Sequence, residues 1–370
     1  MAEPLKNHFG ADVPQAIAAM VAKVHSPFPV KKFTRDALAG YEPLSLTERG
    51  RHITRVLRDH LPQDYPKAVD ILVRSSSQPS GRKVGSGMGS FLFMPHCFYI
   101  ADFGLNHFDE SMAAQYVFTQ RFTCEFSIRP FLIKHPTATL AQLRKWASDP
   151  NERVRRLVSE GTRPRLPWAM RLPAFQADPA PVIELLEMLK DDPALYVRRS
   201  VANNLNDIGK DHPDLLANTA QQWLKGASPE REWIVRHALR WAVKQGEPGA
   251  LKALGFGKKA EVALSHASVS PASAQVGGSV KIEFDLTNPT ARSQDVMVDF
   301  QIHYVKASGG TAAKVFKLKA LTLAAGETAH LQKTVSLREM TTRKHYTGSH
   351  KVDVLVNGAP LPLGAFNLKK

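Results

Sequence analysis

Between Arg153 and Trp168 the chain reads Arg-Val-Arg-Arg-Leu-Val-Ser-Glu-Gly-Thr-Arg-Pro-Arg-Leu-Pro-Trp. Five arginines (Arg153, Arg155, Arg156, Arg163, Arg165) surround one acid, Glu160, and a tryptophan closes the stretch. Guanidinium groups suit phosphates. The flat ring of Trp168 suits stacking on a base or sugar, although a lone Trp in an apolar loop also makes ordinary core. A carboxylate facing a polyanion is unfavourable unless chemistry needs it. Cleavage of an N-glycosidic bond does need it, because the transition state at a deoxyribose is oxocarbenium-like. One carboxylate then stabilises positive charge while another orients or deprotonates water. If the leaving base is already cationic, no general acid is required.

A second Arg-x-x-x-Glu pair, Arg121 and Glu125, has the same spacing, on a helix expected to run through Phe118–Phe126. Residues four apart share a helix face. Each pair alone reads as a surface salt bridge worth well under ~1 kcal/mol. Recurrence at repeat spacing on a basic chain favours a phosphate-binding track carrying two acids.

That spacing comes from an internal repeat. Val154-Arg-Arg, Val197-Arg-Arg and Val235-Arg-His lie 43 and 38 residues apart, and the first two follow Asp-Pro at the same offset. Alignment puts Arg156 with Arg199 and His237, and Glu160 with Asn203 and Trp241. Periods near 40 with paired helices describe a HEAT-like solenoid, against an irregular helical bundle with chance similarity. Apolar residues at three-and-four spacing (Ile53, Val56, Leu57, Leu61; Val182, Leu185, Leu186, Leu189) make residues 1–257 helical. From 258 to 370 the pattern alternates, as in Val280–Leu286, Asp295–Ile302 and Lys351–Val356, with Gly-Gly and Asn357-Gly358 turns. About seven short strands are expected there, in an immunoglobulin-like β-sandwich. The fold class is therefore a multidomain α-then-β chain, a HEAT-like α-helical solenoid followed by that sandwich.

The 370 residues carry a formal net charge of +15, of which the second segment holds +7 from 15 basic and 8 acidic residues. Such a balance favours an anionic partner, either nucleic acid or anionic lipid, touched by both parts. No window of some 18 apolar residues and no signal-peptide layout are found, which argues for a cytosolic protein and weakens a lipid-binding reading. Cys97 and Cys124, in aromatic contexts, read as buried thiols. No cluster has metal-ligand spacing, and neither metal nor cofactor is expected.

Three segments carry a family resemblance: Phe122-Thr-Cys-Glu-Phe-Ser-Ile-Arg-Pro-Phe131, the stretch Val154–Trp168, and Tyr196-Val-Arg-Arg-Ser-Val-Ala-Asn-Asn-Leu-Asn-Asp207. They resemble the bacterial DNA alkylation repair glycosylases AlkC and AlkD, and AlkC more closely. The similarity spans the helical part, and the appended sandwich resembles the C-terminal domain of some AlkC members. The resemblance implies a monofunctional enzyme that removes cationic alkylated bases from double-stranded DNA and leaves an abasic site. The implied substrates are 3-methyladenine, with 3-methylcytosine and 1-methyladenine. It further implies Glu125 and Glu160 as catalytic carboxylates, and bent DNA attacked without a deep base pocket.

Within this reading Arg121, Arg155, Arg156, Arg163, Arg165, Arg198, Arg199, Arg236 and His237 are expected at phosphates. Asn203 and Asn204 are expected at the DNA, with Trp168 and Asp207 at the lesion sugar, although a solvated helix end accounts equally for the polar run 203–207. A monomer is expected, with the sandwich clamping the same duplex. The competing reading is a non-enzymatic HEAT-like scaffold for nucleic acid or an acidic protein.

Overall fold

The computed structural model of the chain describes residues 4–80, 87–257, 260–340 and 344–370. Its contacts divide into two compact units, Met1–Asp211 and His212–Lys370.

The first unit is helical: α1 (Asp12–Ala22), α2 (Val30–Leu38), α3 (Leu46–His60), α4 (Tyr65–Ser75), α5 (Met94–Phe103), α6 (Phe108–Thr119), α7 (Ile128–Lys134), α8 (Pro136–Trp146), α9 (Glu152–Gly161), α10 (Pro173–Ala177), α11 (Ala180–Leu189) and α12 (Leu195–Ile208). Helix starts follow local chemistry. Ser45 and Glu48 make a capping box on α3, and the Asn151 side chain accepts from Arg153 N to open α9.

The repeat is real at atomic level. The Arg155 guanidinium donates to the carbonyls of Asp149 and Pro150, and Arg198, 43 residues on, donates to those of Asp192 and Pro193. Each arginine thus ties the Asp-Pro turn before its helix to that helix. Arg155 also grips the Asp192 carboxylate of the next repeat with Nε at 2.6 Å and Nη2 at 3.0 Å. The rows Val154, Leu157, Val158 and Val197, Val201, Leu205 are buried where α9 packs on α12. At 25 cal/mol per Å², each such side chain contributes about 1.5–3 kcal/mol.

One expected helix is not formed. α6 stops at Thr119, and residues 120–127 form turns before α7. The Cys124 thiol donates to Gln115 O, and the Ser127 hydroxyl contacts Gln115 Oε1 and Cys124 O. These side-chain bonds fold the segment back on α6 and replace the helical ladder. Cys97 and Cys124 are buried free thiols with sulfurs 3.7 Å apart.

His96 on α5 is fully buried, with both ring nitrogens unpartnered among the described residues. The rings of Phe93 and Phe118 flank it. Burial pushes its imidazole down to about 3. The unfolded chain therefore takes up a proton near pH 6.5 that the fold refuses until about 3. Stability from this group is complete above pH 6.5 and is lost as pH falls from there toward 3, by about 1.4 kcal/mol per unit. His96→Leu should flatten the pH dependence of urea midpoints between pH 6.5 and 4.5. Parallel curves for the two proteins would contradict this.

Among its described residues the second unit holds α13 (Pro213–Leu224), α14 (Pro229–Ala238), α15 (Arg240–Gln245), α16 (Pro248–Ala253) and eight strands. These are β1 (Ala263–Ser270), β2 (Ser273–Gln275), β3 (Ser279–Thr287), β4 (Gln294–Val305), β5 (Thr311–Leu323), β6 (Thr328–Ser336), β7 (Gly348–Val356) and β8 (Ala359–Lys369). They form sheets β1-β3-β6 and β2-β8-β7-β4-β5. All pairs are antiparallel except β2–β8. Alternate residues of both sheets, including Val280, Phe284, Val298, Phe300, Val354 and Phe366, fill the core between them. The β7–β8 turn uses Asn357 and Gly358 with φ of 47° and 81°, as a tight hairpin of this type demands. Gly358 abuts the end of α15: a Cβ there would lie 3.0 Å from Gly246 Cα and 2.9 Å from Leu251 Cδ1. That close backbone approach seats the sandwich turn on the last helices.

Candidate active site

A cavity of about 510 Å³ opens in the first unit, lined by Glu125, Arg156, Glu160, Arg163, Trp168 and Tyr196 and by aromatic residues such as Phe91, Phe98 and Phe122. Glu125 reaches it from the turn before α7, and Arg156 and Glu160 from one face of α9.

A single guanidinium organises the acids. Arg156 Nη1 donates to Glu125 Oε2 at 2.6 Å, and Nη2 lies 3.6 Å from Glu160 Oε1. Thr123 Oγ1 donates to Glu125 Oε2 at 2.7 Å. Arg163 Nη1 donates to Glu160 Oε1 at 2.7 Å, and Ser200 Oγ donates to Oε2 at 2.6 Å. Glu160 thus has partners on both oxygens, whereas among the described residues the donors to the Glu125 carboxylate meet Oε2. The side chains of Glu125, Glu160 and Arg156 are only 13, 7 and 16% exposed. Burial opposes the charge on Arg156, but Glu125 and Glu160 outweigh it and raise its pKa. The same holds at Arg163, where Glu160 and Asp207 outweigh burial. The Arg156 guanidinium also lies 4.7 Å over the Tyr196 ring.

The family described as "Uncharacterised protein YhaZ, C-terminal Ig-like domain" matches residues 263–370. The Uncharacterized protein YhaZ of Bacillus subtilis (strain 168) is 38% identical over 348 residues, 93% of this chain and 94% of that one. A solved structure of the Pseudomonas fluorescens alkylpurine DNA glycosylase AlkC, bound to DNA containing an abasic site analog, is 42% identical with a TM-score of 0.92, covering 100% of both chains. The chain belongs to the AlkC family.

In this AlkC-family fold several arginines expected at phosphates are engaged internally. Arg163, 8% exposed, bridges Glu160 and Asp207, its Nε 2.9 Å from Asp207 Oδ2. Asp207 is itself buried, and Lys210 holds its other oxygen at 2.9 Å. It supports Arg163 and has almost no surface for a sugar. Arg155 and Arg198 fasten turns as described, and Arg165 pairs with Asp211. Asn204 has no exposed surface, and its amide joins α12 to Ser159 O and Thr162 Oγ1. Arg121 turns to Ser77 Oγ at 3.0 Å and lines a different cavity from Glu125. The expected ladder of Arg121/Glu125 and Arg156/Glu160 rungs is therefore replaced by a cluster centred on Arg156. A sequence of like charges conceals acids 37 to 46 residues away.

Other expectations sit on accessible surface. Trp168 is 86% exposed, which removes the core reading for its ring. Its φ of 65° is left-handed, a strained state for a bulky residue. Arg199 is exposed and Asn203 half-buried on α12. On α14 of the second unit, Arg236 is exposed, 4.0 Å from Glu232, and His237 stacks on Trp233.

The sequence reading missed Thr123, Ser200, Tyr196 and above all Arg129. The only signal for Arg129 was a charge inside the apolar run Ile128-Arg129-Pro130-Phe131. No helix among the described residues is long and apolar enough to cross a membrane.

Proposed function

We propose that this chain is a monofunctional DNA repair glycosylase, hydrolysing the N-glycosidic bond of cationic alkylated bases in double-stranded DNA. The substrates are 3-methyladenine and, by the same charge logic, 3-methylcytosine and 1-methyladenine. The carrying observation is the Glu125–Arg156–Glu160 cluster on a cavity wall beside an exposed, backbone-strained tryptophan.

The chemistry follows from the bonds. Glu160, held on both oxygens by Arg163 and Ser200, is a fixed negative charge that stabilises the developing oxocarbenium ion without reorganising. Glu125 keeps Oε1 for a water, so it orients or deprotonates the nucleophile. A cationic base departs as a neutral heterocycle, and no acid is needed to protonate it. Among the described residues no lysine lines the cavity, which supports hydrolysis over a Schiff-base step. Trp168 and the exposed Arg199 and Asn203 contact the lesion strand. Arg236 and His237 carry phosphate contacts from the second unit, whose basic β-sandwich clamps the duplex. The enzyme acts as a cytoplasmic monomer without metal or cofactor.

Incubation with a duplex containing 3-methyladenine should release the free base and leave an alkali-labile abasic site, with no strand cleavage before alkali. Duplex binding without base release would instead support a non-enzymatic scaffold.

A further inference from the structure

Arg129, on α7, has no exposed surface and is among the largest fully buried side chains. Its guanidinium makes four hydrogen bonds to three backbone carbonyls. Nη1 donates to Gly161 O and Arg163 O, each at 2.9 Å. Nε and Nη2 donate to Met170 O at 2.8 and 2.6 Å. Among the described residues no carboxylate pairs with it within salt-bridge distance. Burial, with the like charge of Arg163, pulls its pKa down to about 10. A charge buried against carbonyls alone is a poor stability device, since an apolar side chain of that volume costs less to desolvate. Its geometry indicates another use.

The three carbonyls bracket one loop. Gly161 follows Glu160 at the end of α9, Arg163 clamps Glu160 and Asp207, and Met170 lies two residues past Trp168. One side chain therefore closes both ends of residues 161–170. It does so from the helix that directly follows the turn carrying Glu125. The loop needs such a closure, because Trp168 is left-handed yet 86% exposed, so burial of its own ring does not repay the strain.

We propose that Arg129 is a positioning residue that sets the 161–170 loop, and through it Arg163 and Trp168, against the two carboxylates. This rests on the glycosylase reading given above.

The test uses the full chain with Arg129→Met, which keeps bulk without donors, and Arg129→Lys, which keeps charge and part of the bonding. Each is made alone and with Trp168→Ala. Single-turnover excision of 3-methyladenine at saturating protein should fall about 30-fold in Arg129→Met, in line with the cost of misplacement by about an ångström. Duplex affinity should change by less than about threefold. In the Trp168→Ala background the same change should cost less than about fivefold, because the two act as one unit. Arg129→Lys should recover part of the rate. The protein has five tryptophans, so 5-fluorotryptophan labelling gives a 19F signal for Trp168, assigned by its loss in Trp168→Phe. That signal should shift or broaden in both Arg129 variants while the other four stay. Additive rate losses, or an unmoved Trp168 resonance, would overturn the proposal. If Arg129→Met does not fold, Arg129→Lys carries the same comparison. Absence of excision by the wild type would instead remove the glycosylase reading, with the 19F arm still deciding whether Arg129 sets the loop.

Discussion

Glu125→Gln and Glu160→Gln should each slow single-turnover excision of 3-methyladenine by about two to three orders of magnitude, the usual effect of removing one preorganised electrostatic group. Glutamine keeps shape and one acceptor oxygen. At position 125 Thr123 and Arg156 share one oxygen, which the amide carbonyl still supplies, whereas at position 160 the carbonyl keeps Arg163 and the amide nitrogen turns to the Ser200 hydroxyl, which must then accept instead of donate. The main loss is charge, with one hydrogen bond reversed at position 160, so duplex affinity should hold or rise slightly as repulsion from phosphate falls. The double variant should be little worse than the weaker single, because both acids face one guanidinium and act as a unit. Unchanged rates in both single variants would remove the catalytic assignment.

Arg156→Met should do the most damage to the fold. Its guanidinium is shared by Glu125 and Glu160, and all three side chains are largely withdrawn from water. Removing it leaves two carboxylates converging without their bridge, at a cost of about 3 kcal/mol. It also ends the contact with the Tyr196 ring. Urea denaturation should show the midpoint fall, and excision should be lost with it. Adding Glu125→Gln to Arg156→Met should restore part of the stability while leaving activity absent. A midpoint that falls further in the double variant would mean that the cluster is not held by this charge balance.

How much of this was legible depended on sequence distance. The α9 face carrying Arg156 and Glu160 could be read because both lie within one turn of a helix whose apolar row, Val154, Leu157 and Val158, fixes the buried side. The strands around Phe284, Phe300 and Val354 were equally readable, since alternation needs only neighbours. The exposure of Trp168 was left open, because a ring in an apolar loop is ambiguous until the backbone conformation is known.

Long-range pairing was hidden. Glu125 could be named through resemblance, yet its helix was wrong: Cys124 and Ser127 make bonds that end α6 early. Arg155, Arg163 and Arg165 look like one basic stripe, but Asp192, Asp207 and Asp211 engage them in ion pairs, with Arg163 buried and Arg155 and Arg165 half-buried. Asn204 looked like a polar edge and proved to be a link between α9 and α12. Charge on a repeat surface does not reveal which arginines face outward. Arg129 is the extreme case, since its three carbonyl partners have no side-chain signature at all.

Two carboxylates stabilising positive charge at the sugar are the core of the mechanism, and affinity for abasic analogues of different charge tests their role directly. A duplex carrying a cationic pyrrolidine in place of the lesion sugar should bind the wild type at least about tenfold tighter than one carrying neutral tetrahydrofuran, as a transition-state mimic should. The ratio should collapse toward one in both Glu125→Gln and Glu160→Gln. A wild-type protein indifferent to that charge, or a preference that survives both substitutions, would contradict it.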